Sequence, residues 1–439
     1  MNEFLYPYQQ EAVDKTIKSF RAYKACYNGS DMGVGKSVMT CGTLNRLRSV
    51  TTVDQNILIV CPSVMRDTWS KEIRKFTSIT DIAIMYKGTD VPLKLQNNKV
   101  YIISYDLLSR DDNLKVFLQH QWFLMIADEA HYLKSASTNR TSAITALSKN
   151  ARYKLFLSGT PFINCSIDIF PVAQICNPHE FSDFNEFAER YAFKQIVSYR
   201  TKFGVKHAVK YSKVKNTTEL SKKLRDSFFI RYKRDEVLKS LPECVETTIW
   251  LNKSCGVKAS EIEMQQVEST IKEGKMAGEA ISKLRKDIGL RKVKSIAEYV
   301  EDLLDTESSV ILFAHHKEVV AKYVDELKKH KPYIITGSVS GADRAKAIEG
   351  FQEGNSRLII MNIAAGGVGI TLTKAKHVVF AEFPWVYSEY SQAIGRAHRN
   401  GQISNVTVHN FMVEGSIDER IVTTVMSKKQ MHVNLIDKK

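Results

Sequence analysis

The chain of 439 residues, 44% hydrophobic and 25% charged, has the length for two or three domains with separate cores and the composition of an ordinary soluble protein. No apolar run is long enough to span a bilayer, and the opening MNEFLYPYQQ reads as neither a signal nor a transit peptide. Seven scattered cysteines without a CxxC pair or a Cys/His cluster argue for a reducing compartment and against structural zinc; 63 Lys and Arg against 48 Asp and Glu leave +15, which favours a polyanion, most simply nucleic acid.

In chain order, Leu5-Tyr6-Pro7-Tyr8-Gln9 precedes a helical stretch, with proline at its start. NGSDMGVGKS (28–37) follows. Its Met32, Gly33, Val34, Gly35, Lys36 and Ser37 read as the end of a phosphate-binding loop opening a helix. Glycines let main-chain N–H groups approach phosphate oxygens, the lysine neutralises charge and the serine hydroxyl suits Mg²⁺. The first glycine of GxxxxGK[ST] is replaced by Ser30, which weakens the motif taken alone.

Strand-like runs follow at ILIVC (57–61), VYIIS (100–104), WFLMIA (122–127) and YKLFLS (153–158). Helical stretches separate them, such as DTWSKEIRKF, where Trp69, Ile73 and Phe76 share a face. The third run ends in Asp128-Glu129-Ala130-His131, a carboxylate pair that suits a divalent metal and a water activator. Alternation of β and α predicts a doubly wound parallel sheet, with strand ends converging on one crevice.

Residues 164–240 break the rhythm: two helical pieces flank a stretch centred on Phe203-Gly204 that reads as a β-hairpin. From Arg200 to Lys239 thirteen Lys/Arg stand against four Asp/Glu, which favours contact with a phosphate backbone over a merely solvated face. Residues 241–298 read as a helical linker without strand signal. The βα rhythm then resumes at 309–314, 333–336, 357–362, 377–382 and 405–412, predicting a second lobe over 299–439 after a first over 1–240. QAIGRAHRNGQ (392–402), if helical, puts Gln392, Arg396 and Arg399 on one face, a pattern suited to phosphate. His315-His316 lacks a third ligand at usable spacing and reads as a strand end.

Taken together, LYPYQ, DMGVGKS, IVCPS with Trp69, DEAH, SGTPFIN, VILFAHH, NIAAGGVGITLTKA and QAIGRAHRNGQ resemble, in order, the motifs of the Swi/Snf-type ATPases of helicase superfamily two, most closely the HepA-related branch. The resemblance runs from Leu5 to about Leu435. It implies two RecA-like α/β lobes with a basic insertion, ATP and Mg²⁺ as cofactors, and translocation on double-stranded or branched DNA without complete strand separation. Lys36 is then expected to hold the β- and γ-phosphates, Ser37 and Asp128 the Mg²⁺, and Glu129 to orient and deprotonate water. Gln9 is expected to read adenine, and Arg396 and Arg399 to serve as arginine fingers from the second lobe. Expected DNA contacts are Pro62, Ser63, Ser104 and Tyr105 in the first lobe, and Thr336, Gly337, Ser338, Gly367 and Thr371 in the second.

The family's paired arginines read Arg231-Tyr232 here, and its Trp-Asn reads Trp385-Val386. A chain that opens at the Q motif and closes soon after the QAxGRAHRxGQ motif carries the expectation of a bare motor of phage, viral or prokaryotic origin, cytoplasmic there and nuclear in a eukaryote; because two lobes would complete the site in cis, a monomer is expected, alone or within a larger repair or replication assembly. Two rival readings remain: a strand-separating or RNA-directed helicase of the same superfamily, and a nucleic-acid-binding scaffold without catalysis.

Overall fold

The computed structural model describes residues 4–49, 56–162, 165–201, 204–251, 279–363 and 370–436. The chain divides into two compact units, Met1–Val237 with Met431–Lys439, and Leu238–Gln430.

The first unit is built on a parallel sheet. Its strands are β1 (Ala25–Asn28), β2 (Ile57–Cys61), β3 (Ile82–Ile84), β4 (Val100–Ser104), β5 (Trp122–Asp128), β6 (Ala151–Leu157) and, after the hairpin β7 (Phe193–Thr201) and β8 (Gly204–Ser212), β9 (Phe229–Ile230). The order across the sheet is β3-β4-β2-β5-β6-β1-β9. All seven residues of β5 are buried, the signature of a strand covered on both faces. Helices α1 (Pro7–Tyr23), α2 (Lys36–Arg48) and α3 (Arg66–Phe76) supply part of that cover, α3 through Trp69 and Ile73. Because β6 lies between β1 and β5, the loops leaving these three strands open side by side at the carboxyl edge, where ligands bind in sheets of this kind.

The hairpin expected around Phe203-Gly204 forms, with β7 and β8 antiparallel and Ile196 facing Val209. The second helical piece expected over 219–241 is corrected. Its helix ends at Arg225, and Phe229-Ile230 instead joins the sheet beside β1. Two residues between charged flanks leave no periodicity to read.

The second unit carries β10 (Cys244–Leu251), β11 (Val310–Ala314), β12 (Tyr333–Ile335), β13 (Leu358–Asn362), β14 (His377–Phe380) and β15 (Val406–Val413), parallel in the order β10-β15-β14-β11-β13-β12. The five strands expected from 309 to 412 are all present. The stretch 241–298, expected as a helical linker, is helical at its second described end but not at its first. Residues 244–251 form an edge strand on β15, and the helix Glu279–Asp305 buries Ile281, Ile288, Ile296 and Val300 in the unit's core. Alternating exposure along β10, with Trp250 half-exposed, hid the strand among polar residues.

That helix also carries charge inward. Lys292 pairs with Asp418 at 2.7 Å, both buried. Arg285 donates to the Phe383 carbonyl and lies 4.6 Å from the centre of the Trp385 ring. Glu382, following β14, accepts the amides of His315 and His316 at 2.7 and 2.9 Å and pairs with His316 Nδ1 at 2.6 Å. The two histidines thus sit where β11 ends, tied to the Glu382 carboxylate.

Candidate ATP site and nucleic-acid interface

The phosphate loop leaves β1 and turns into α2 through Gly33 and Gly35, at φ 82° and 86°. Gly35 is the residue preceding the helix, and a Cβ there would stand 2.5 Å from Gln9 Nε2, so both backbone and packing require glycine. Ser30, in place of the usual first glycine, needs no such freedom. Its amide donates to Asn28 Oδ1 (3.1 Å), and its hydroxyl accepts the Tyr232 amide (3.1 Å). The start of α2 presents main-chain N–H groups and the positive end of the helix dipole, with Lys36 and Ser37 in its first turn.

Lys36 Nζ donates to the carbonyls of Ser30 (2.8 Å) and Asp31 (3.0 Å). Burial lowers its pKa, while the carboxylates of Glu129, Asp128 and Asp31 oppose that shift. Met32 lies over Gly159, where a Cβ would meet its Cγ at 2.6 Å and Lys36 Nζ at 3.4 Å, so the turn after β6 closes tightly on the loop.

Asp128 ends β5 and is buried. Trp69 Nε1 donates to its Oδ2 (2.9 Å) and the Glu129 amide to its Oδ1 (2.9 Å), while Tyr105 OH donates to its carbonyl (2.7 Å). Burial, with the neighbouring Glu129 charge, pushes the Asp128 carboxyl up to about 6 despite the Trp69 hydrogen bond. A buried carboxylate at a strand end, with a helix-start hydroxyl on the phosphate loop, is the donor chemistry expected for a Mg²⁺ that keeps most of its ligands from phosphate and water. Glu129 turns the chain at φ 51°, and its Oε2 lies 3.1 Å from His131 Nδ1, which is also 3.1 Å from Ser158 Oγ.

Two braces hold the loop from behind. Gln9 accepts the Tyr6 amide (3.0 Å) and donates to the Val34 carbonyl (3.1 Å), which Tyr8 OH also reaches (2.9 Å). Arg231 pairs with Asp31 at 2.7 Å and donates to the Gly29 carbonyl at 2.6 Å. Burial opposes ionisation of Asp31, but Arg231 and the Arg234 amide keep its pKa below the usual value. The pairing of Asp31 with Arg231 escaped the sequence reading, which noted Arg231 only as what remains of the family's paired arginines. The signal was an acidic residue inside a phosphate loop, whose charge needs a cation elsewhere in the chain.

In the second unit Gln392 and Arg396 lie on the helix Tyr387–Ala397, and both are buried. The helix stops two residues before Arg399, so the single helical face expected for the three is corrected. Arg396 and Arg399 nevertheless converge, both donating to the Ile370 carbonyl, at 3.2 and 3.4 Å.

The expected DNA contacts divide. Ser63 and Thr371 are exposed and Pro62 is partly so. Thr336 and Ser338 bond to each other (2.9 Å) around Gly337, beyond which a Cβ would meet nothing within 4 Å. Ser104 and Tyr105 are corrected as side-chain contacts. Both are buried, Ser104 Oγ capping its helix through the Leu107 amide and Tyr105 OH holding the main chain at Asp128. Gly367 lies outside the described residues.

The model of the SNF2-related domain matches residues 8–301, and that of the helicase conserved C-terminal domain matches 291–401. The chain belongs to the SNF2-related family. Among curated proteins, the human DNA annealing helicase and endonuclease ZRANB3 is 30% identical over 429 residues, 94% of this chain and 39% of that protein. The Xenopus laevis SWI/SNF-related matrix-associated actin-dependent regulator of chromatin subfamily A-like protein 1 is 29% identical over 440 residues, 97% of this chain and 43% of that protein. The chain therefore spans about two fifths of the length of these curated relatives. The solved Sulfolobus solfataricus SWI2/SNF2 ATPase core in complex with dsDNA aligns over 98% of this chain and 92% of that one, at 20% identity and a TM-score of 0.47. No helix among the described residues is long and apolar enough to cross a membrane.

Proposed function

We infer that this SNF2-related chain is a DNA-dependent ATPase that couples ATP hydrolysis to translocation along double-stranded or branched DNA, remodelling DNA or protein–DNA complexes without base specificity. The observation that carries the reading is that Lys36, at the start of the helix following β1, and Asp128 and Glu129, at the end of β5, come from the carboxyl edge of one parallel sheet, with only β6 between their strands. Lys36 would exchange its two carbonyl partners for the β- and γ-phosphates. Ser37 and Asp128 would hold Mg²⁺, whose charge would offset that developing on the phosphate oxygens.

Glu129 would orient the attacking water and take its proton, with His131 and Ser158 steadying the carboxylate. Gln9 would read adenine by giving up one of its present bonds, and Gln392 would assist at the nucleotide. Arg396 and Arg399, from the second unit, would act as arginine fingers. DNA would lie along the exposed strand ends at Pro62-Ser63, Thr336–Ser338 and Thr371, held by phosphate contacts that carry no base identity. The names of the relatives, an annealing helicase and a chromatin regulator, support DNA as the partner.

The test is Glu129→Gln, which should lose turnover and still bind a fluorescent ATP analogue with near wild-type affinity. Undiminished hydrolysis in that variant would remove the assignment of the base.

A further inference from the structure

A groove of about 490 Å³ lies in the first unit between the exposed side of α1 and β9 with its flanks. Lys15 and Lys18 come from α1, and Arg225, Arg231 and Lys233 from the opposite wall. With Asp226 and Glu236 as the acidic members, cations lead five to two among the lining residues, although Arg231 is taken up by Asp31 and Lys15 and Lys233 pair with Glu11 (2.8 Å) and Glu236 (3.7 Å). Phe229 and Ile230 contribute an apolar strip along the bottom.

β9 is the last strand of its sheet, and no described strand lies on its outer side. Its inner side is used: the carbonyls of Phe228 and Ile230 accept from the amides of Tyr27 (2.8 Å) and Gly29 (2.9 Å). Alternation along a strand therefore turns the main-chain amide and carbonyl of Phe229 toward the groove. A sheet edge in a groove of this size has the geometry for strand addition by an extended peptide, and the cationic walls select its charge.

We propose that an extended acidic peptide of a partner protein adds to β9 as a further strand, pairing with the Phe229 main chain and setting its carboxylates against Lys18, Arg225 and Lys233. A nucleic-acid backbone would satisfy the cations but has no row of amides for the strand edge and nothing for the apolar strip. The site has a route to ATP turnover. Arg231, two residues beyond Phe229, is the residue that braces Asp31 and the Gly29 carbonyl in the phosphate loop.

The experiment uses the full chain and a short fluorescein-labelled peptide alternating Glu with Val, read by fluorescence anisotropy. Three further titrations accompany it: the same peptide with its amides N-methylated, the Lys15→Gln/Lys18→Gln double variant on α1, outside the basic stretch 200–239, and labelled duplex DNA against both proteins. Expected are saturable binding of the parent peptide, and loss of about tenfold or more in affinity both on N-methylation and in the double variant, at unchanged thermal midpoint. Duplex DNA affinity should change by less than about twofold in the double variant, because strand-edge binding is separate from DNA binding. Absence of peptide binding, equal binding of the N-methylated peptide, or an unweakened double variant would overturn the proposal. So would a double variant that loses DNA affinity as strongly as peptide affinity, which would make the groove a phosphate site.

Discussion

Glu129 occupies the left-handed region at φ 51°, a conformation that costs a non-glycine residue roughly 1–3 kcal/mol. The turn is held by the hydrogen bond its N–H donates to Asp128 Oδ1 and by His131 beside its carboxylate. Three variants probe this arrangement. Lys36→Ala should reduce ATP hydrolysis to background in a steady-state phosphate-release assay, since nothing else in the loop carries its charge. Trp69→Phe keeps the apolar packing of α3 but removes a hydrogen bond to a buried carboxylate, of the kind worth about 1.5–3 kcal/mol. It should fold and lower kcat about tenfold or more; unchanged kcat would leave Trp69 as packing only. Arg399→Ala should lower kcat by about 10³-fold, the lower end for an arginine finger, with ATP binding retained. Residues of this kind are legible in a sequence because chemistry restricts their type and spacing. Ser104 and Tyr105 show the limit: a hydroxyl at a strand end reads alike whether it faces a ligand or caps its own helix.

At the scale of elements, strands buried on both faces declared themselves as apolar runs, and those of both sheets from β2 to β6 and β11 to β15 were readable except the three-residue β3. β1, β9 and β10 were not. The first two are too short to show a period, and β10 is an edge strand whose exposed face carries threonine, glutamate and tryptophan. What β9 brings is Arg231, and its pairing with Asp31 is mostly withdrawn from water, with the Arg231 side chain 6% exposed. Removing one partner of such a pair costs about 3–5 kcal/mol when fully buried, less for the partly exposed Asp31. Arg231→Ala and Asp31→Asn should each raise the KM for ATP, and a double-mutant cycle should show coupling of about 1 kcal/mol or more. Simple additivity would dissolve the brace.

Glu382 makes the corresponding case in the second unit. Burial alone would raise its pKa, but the His316 hydrogen bond and the Arg285 charge hold it down to about 2. The stability this carboxylate contributes is therefore complete above its ordinary value of 4.5 and is lost as pH falls toward 2. In urea unfolding, Glu382→Gln should be less stable than wild type by about 3 kcal/mol at pH 7. The gap should narrow between pH 4.5 and 2. A gap independent of pH would mean that shape rather than charge makes Glu382 matter.

For the whole molecule, the two family models follow one another along a chain that folds as two parallel-sheet units, and the net charge of +15 supplies the long-range attraction that a polyanion partner requires. If binding runs through phosphate contacts, affinity for duplex DNA should fall steeply and linearly in a log–log plot against salt, with little difference between sequences of equal length. The measurement that tests the central claim most directly is the steady-state ATPase rate without nucleic acid and with single-stranded DNA, duplex DNA, forked DNA and duplex RNA. The account predicts strong stimulation by duplex or forked DNA, well above single strands and RNA. Stimulation by single strands or RNA alone would contradict it in favour of a strand-separating helicase, and no hydrolysis from folded protein under any of these conditions would contradict the ATPase itself.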